Sequence, residues 1–95
     1  MNYVITFPAN LNQINPLDDN IDVLVQLEDG RQYTFVVATP DNLKSLMRKA
    51  NLPYLRPGLP FLFVERLDEP SIRLLLDALL KEGDALLRLY GEDWL

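Results

Sequence analysis

A chain of 95 residues, 48% apolar and 24% charged, has the composition of one globular domain (residues 1–95) with a buried core, which excludes wholesale disorder. It contains no histidine and no cysteine, which removes disulfides, the usual near-neutral general base, the thiolate nucleophile and the soft metal ligands together. The net charge of −5 is uneven: residues 1–30 carry five acids and no base, residues 31–60 five bases against Asp41 alone, and residues 61–95 eight acids against four bases.

The first residues, Met1 to Pro8, lack the basic start and long apolar stretch of a signal peptide, and no apolar run is long enough to cross a bilayer. The expectation is a cytoplasmic protein with no membrane partner. Tyr3 to Phe7 reads as a strand ended by Pro8. Residues 9–20, rich in Asn and Asp, read as a long loop.

Ile21 to Glu28 and Arg31 to Ala38 alternate around Asp29-Gly30, the signature of a β-hairpin with a two-residue type I′ turn. That turn predicts Glu28 opposite Arg31, Val25 opposite Thr34 and Leu24 opposite Phe35. One face then carries Ile21, Val23, Val25, Leu27 and Val36, and the other Leu24, Tyr33, Phe35 and Val37. Both faces come out apolar, so each needs a cover, from the same chain or from another.

Thr39-Pro40-Asp41 opens a helix, with threonine as cap, proline at the first position and an acid at the positive dipole end. Leu43, Leu46, Met47 and Ala50 form its apolar stripe, and Asn51 ends it in the left-handed conformation. Three prolines keep residues 52–60 irregular. Phe61 to Val64 is apolar at every position, which predicts an interior strand continuing to Leu67. A second helix starts at Asp68-Glu69-Pro70-Ser71 and runs to about Glu82, with Ile72, Leu75, Leu76 and Leu79 as its stripe and Gly83 as a cap. Ala85 to Tyr90 is read as a last strand, with continued helix as the alternative, because leucine is a strong helix former. The expected fold is α+β (or small α/β): a two-layer sandwich of two helices on a mixed sheet of about five strands, in the order β-β-β-α-β-α-β, with the strand–helix–strand crossover parallel.

The acids Asp18, Asp19 and Asp22 concentrate in the long loop, but their spacing fits no calcium-binding loop, and they suit a solvated face or a basic partner better than a metal. No metal or cofactor is expected. Lys44, Arg48, Lys49 and Arg56 form the main basic concentration. Arg48 and Lys49 complement the helix dipole, and so acidic a chain disfavours nucleic acid as a partner. Glu65 and Arg66 end the apolar strand, where a carboxylate could act as acid or base in a small-molecule or anion pocket. The proline-rich segment offers Tyr54 and Arg56 as interface anchors, and Trp94 is expected to dock on the core.

In general character, though not in any motif, the chain is similar to small acidic bacterial immunity proteins and antitoxins. The leading expectation is a non-enzymatic protein–protein interaction module, an inhibitor or accessory subunit. Its expected contact residues are Leu24, Tyr33, Phe35, Tyr54 and Arg56, and the hairpin is also a route to a homodimer. The alternatives are a ligand-binding domain, conceivably a carboxylate-dependent enzyme, at Glu65/Arg66, and weak nucleic-acid binding through Lys44, Arg48, Lys49 and Arg56.

Overall fold

The computed structural model describes residues 2–55 and 60–93. The strands are β1 (Tyr3–Thr6), β2 (Asn20–Leu27), β3 (Gln32–Ala38), β4 (Phe61–Phe63) and β5 (Gly91–Asp93), and the helices α1 (Pro40–Ala50), α2 (Glu69–Lys81) and α3 (Asp84–Tyr90). The class is α+β with a mixed sheet. The sheet is four positions wide, in the order β1-β2-β3-β4. Its fourth position is shared: β4 runs parallel to Val36–Ala38 of β3, and β5 runs antiparallel to Tyr33–Phe35 of the same strand. Gly91 fits that approach because a Cβ there would lie 2.8 Å from the Leu87 carbonyl oxygen and 3.0 Å from both Phe35 Cε1 and Tyr33 Cβ.

The hairpin forms, but its register differs by one residue from the expected one. Val25 pairs with Tyr33, Leu24 with Thr34 and Val23 with Phe35. The cause is a three-residue loop, Glu28-Asp29-Gly30, rather than a two-residue turn. Gly30 N–H donates to the Leu27 carbonyl at 3.0 Å, Gly30 sits at φ 94°, and Leu27 N–H donates to the Arg31 carbonyl at 2.8 Å. This is a turn followed by a left-handed glycine, a common three-residue hairpin loop. Asp29 closes the loop by accepting from the Arg31 backbone N–H and pairing with its Nε at 2.8 Å. The backbone bond is the first cause of a carboxyl held below the usual aspartate range.

A single-residue shift moves every side chain of a strand relative to its neighbour's faces. Ile21, Val23, Val25 and Leu27 now share a face with Tyr33, Phe35 and Val37, and all seven are buried. The opposite face carries Asp22, Leu24 and Gln26 beside Gln32, Thr34 and Val36, all exposed or half-buried. The expectation of two apolar faces is therefore corrected. The hairpin has one apolar face, and its own chain covers it.

The cover is α2 and α3. Ile72, Leu76 and Leu79 of α2 and Leu87 of α3 complete the core with Leu62, Val64 and Leu67. Asp68 caps α2 by accepting from Ser71 N–H at 2.9 Å, and the Ser71 side chain, then this backbone bond, hold its carboxyl below the usual range. Residues 84–90 form a helix rather than the expected strand: Leu87 reaches the core from α3, and the strand comes later, at Gly91. β4 is also corrected. It is three residues long and lies at the rim of the sheet, not its interior, so Phe63 is 45% exposed.

α1 follows its local chemistry. Thr39 caps it by accepting from Asn42 N–H at 3.2 Å, and Asn51 ends it at φ 55°. Its apolar stripe is less used than its periodicity predicts. Leu43, Leu46 and Met47 are half-buried, Ala50 is exposed, and the one buried residue of the helix is Asn42. At the first strand, the Tyr3 hydroxyl donates to Asp77, and Arg73 lies over the Phe7 ring at 5.7 Å, which ties β1 to α2. Burial and the Asp77 bond push the Tyr3 hydroxyl up to about 12. No helix among the described residues is long and apolar enough to cross a membrane.

Candidate functional site

The outer sheet face holds a cleft of about 490 Å³. Thr6, Leu24 and Thr34 are cross-strand neighbours on β1, β2 and β3, so they form its floor. Phe7, Pro8, Asn10 and Ile14 wall it, as the chain leaving β1 folds back through a 3-10 turn at Leu11–Gln13. Asp19, Asn20 and Asp22 stand at the rim. The cleft thus joins apolar walls to two carboxylates in a volume typical of sites for a side chain or small ligand. Thr34 Oγ1 is buried and has no hydrogen-bond partner among the described residues, although it lines this cleft. An unsatisfied buried hydroxyl costs free energy that a bound polar group could return.

The three loop acids have separate duties. Asp18 is turned to α1, accepting from Ser45 Oγ at 2.7 Å and Asn42 Nδ2 at 3.3 Å. The Ser45 and Asn42 bonds hold its carboxyl below the usual range, with smaller help from Lys49 and Arg48. Asn42 also accepts from Asn20 Nδ2 at 2.8 Å, and buried Thr39 donates to the Leu17 carbonyl at 2.7 Å. These bonds fix the loop that carries the rim. Asp19 accepts from its neighbour Asn20 N–H at 2.8 Å. Asp22 is exposed on the outer face of β2.

The contact patch expected from sequence does not assemble. Tyr33 and Phe35 are 4% and 0% exposed and belong to the core, as the corrected register requires. Leu24 lies on the cleft floor, half-buried. Tyr54 is 55% exposed on the segment after α1, outside the cleft lining, and Arg56 lies outside the described residues, as does Trp94. Lys44, Arg48 and Lys49 are exposed on α1. Glu65 is exposed and does not line the 230 Å³ cleft that contains Arg66, Asp68 and Glu69. Arg66 Nε there sits 3.6 Å from Asp68 Oδ2, so the charge expected to attract an anion faces a carboxylate. Sequence reading missed Thr6, Phe7, Asn10, Ile14 and Thr34 as lining residues. For Thr34 the signal was the register, because it becomes the neighbour of Leu24 only when the loop has three residues. Among the described residues no group of three or more acids could hold a metal ion. No protein-family model, curated protein or solved structure matches the chain.

Proposed function

We propose that the protein is a non-enzymatic, cytoplasmic protein-interaction module, an inhibitor or accessory subunit. It takes a lysine- or arginine-bearing apolar segment of another protein in the outer-face cleft. The observation that carries this reading is the pairing of apolar walls (Phe7, Pro8, Ile14, Leu24) with the rim acids Asp19 and Asp22. A long basic side chain suits such a site, since its methylene stem packs on apolar surface while its charged end meets a carboxylate. Rim charges of this kind speed encounter and fix orientation more than they add affinity. The net charge of −5 favours the same class of partner at long range.

The test is a chemical-shift titration of the full chain with two short leucine-rich peptides, one carrying lysines and one carrying glutamates. The lysine peptide is expected to shift the amides of Thr6, Asp22, Leu24 and Thr34. That response is expected to vanish in the Asp19→Asn/Asp22→Asn variant and with the glutamate peptide. Shifts confined to other surfaces, or equal responses to both peptides, would overturn the reading.

A further inference from the structure

The two edges of the sheet are built differently. One is split between β4 and β5, each three residues long, and Pro60 precedes β4. Short, interrupted edges resist pairing with other chains. The other edge is β1, and among the described residues no charge or proline on the strand blunts it. Residues 2–7 contain no charge, and the first proline is Pro8. Val4 is 64% exposed.

The direction of its backbone groups follows from the ladder. The Asn2 carbonyl accepts from Glu28 N–H at 3.2 Å, which makes Asn2 and Glu28 a hydrogen-bonded pair. Antiparallel ladders alternate hydrogen-bonded and non-bonded pairs, so Val4 and Thr6 also spend their N–H and C=O groups on β2. Those of Tyr3 and Ile5, and of Phe7 by continuation, point out of the sheet. No loop or helix backbone bond reaches these outward groups among the described residues.

We propose that β1 pairs antiparallel with β1 of a second copy, about a twofold axis at Ile5, and joins two sheets into one. Ile5 then exchanges N–H···O bonds with its symmetry mate, and Tyr3 with Phe7 of the second copy. The choice of a second copy rests on charge. Asp77 is bonded to the Tyr3 hydroxyl, and Arg73 lies over Phe7. Setting Tyr3 against Phe7 of the second copy brings Asp77 beside Arg73 of that copy, and the twofold repeats the contact. A foreign strand would match this pattern only by coincidence, whereas self-pairing matches it by symmetry. On the outer face, Val4 comes opposite Thr6 of the second copy in a close, non-bonded pair. Because Thr6 is part of the cleft floor, each copy extends the other's cleft. The pairing goes beyond the cleft reading and does not depend on it. An interface of this extent is of the weak, reversible class.

The experiment is sedimentation equilibrium of the full chain from micromolar to millimolar concentration, with far-UV circular dichroism to verify folding. The 10.9 kDa chain is expected to approach dimer mass as concentration rises. V4K places lysines on the edge, and I5P removes an outward N–H that β2 does not use; each is expected to weaken the dimer about tenfold or more with unchanged secondary structure. R73E sets like charges together and is expected to weaken it too, more at low salt than at high. Monomer mass at every concentration would overturn the proposal, as would a dimer indifferent to both V4K and I5P. A wild-type monomer that still binds the lysine peptide would remove the pairing and leave the cleft. A V4K-sensitive dimer that ignores the peptide would do the reverse.

Discussion

The two faces of the β2–β3 hairpin alternate along the same residues yet have opposite roles. The inner face places Val23, Val25, Phe35 and Val37 at 0% exposure beneath α2 and α3. The outer face sets Asp22, Leu24, Gln26, Gln32 and Thr34 around an open cleft or in solvent. The apolar core lies on one face, and the other is exposed or half-buried. The divider between them is a surface loop: whether it has two or three residues decides which of Thr34 and Phe35 shares the core face with Val25.

The contrast can be broken most severely at that loop. Deleting Glu28 leaves two residues and moves β3 by one position, bringing Thr34 and Val36 inward. The expected result is loss of cooperative urea unfolding and of near-UV circular dichroism, because misplacing a face exceeds a net stability of about 5–15 kcal/mol. A deletion variant that unfolds like the parent would refute the assignment of faces. Single truncations sharpen the contrast. Phe35→Ala is expected to cost about 3–5 kcal/mol in urea unfolding. Leu24→Ala, on the other face, is expected to cost about 1 kcal/mol or less while weakening the lysine-peptide response. Equal losses would mean that the cleft floor is part of the core.

Two smaller effects are read by pH. The Tyr3 hydroxyl is raised from 10.0 to about 12, so its contribution is complete below pH 10 and is lost as pH rises toward 12. Tyr3→Phe is expected to flatten that alkaline limb of stability. Asp18 is lowered from 3.8, so its contribution is present above that value and is lost as pH falls through the lower folded value. Asp18→Asn is expected to flatten the acid limb below about pH 3.8, measured by urea midpoints. An unchanged limb in either variant would show that the bond is not retained in solution.

How far the sequence could be read depended on the range of the interactions involved. Thr39, Pro40 and Asn51 bound α1 through contacts within a few residues, and Asp68 and Pro70 start α2 the same way, so these ends were legible. Asp29-Gly30 was legible as a turn but not as a turn of given length, since both lengths place a glycine at positive φ. The choice lay with packing: only the longer loop buries Val25 and Phe35 together. Residues 85–90 failed for a related reason, because Leu87 suits a strand or a helix until Gly91 is seen to need close approach to β3. At the site, the rim acids and Leu24 were visible as residues, but their division was not. Asp18 leaves the group through Ser45, which is distant in sequence, and Thr34 joins through the register alone. The β4 assignment as interior followed from Phe61 and Phe63, which pair with Val36 and Ala38 and so lie on the outer face, away from α2 and α3.

The attachment of α1 has a consequence for motion. Its one buried residue is an asparagine, and Asp18, Asn20, Ser45 and Thr39 supply the polar bonds that seat its first turns. None of its side chains belongs to the core. Amide exchange along α1 is therefore expected to follow the loss of a handful of polar contacts, and exchange along β2, β3 and α2 to require opening of the core. Acid strong enough to protonate Asp18, below the ordinary carboxylate range, is expected to loosen this seam and free the helix before the core opens.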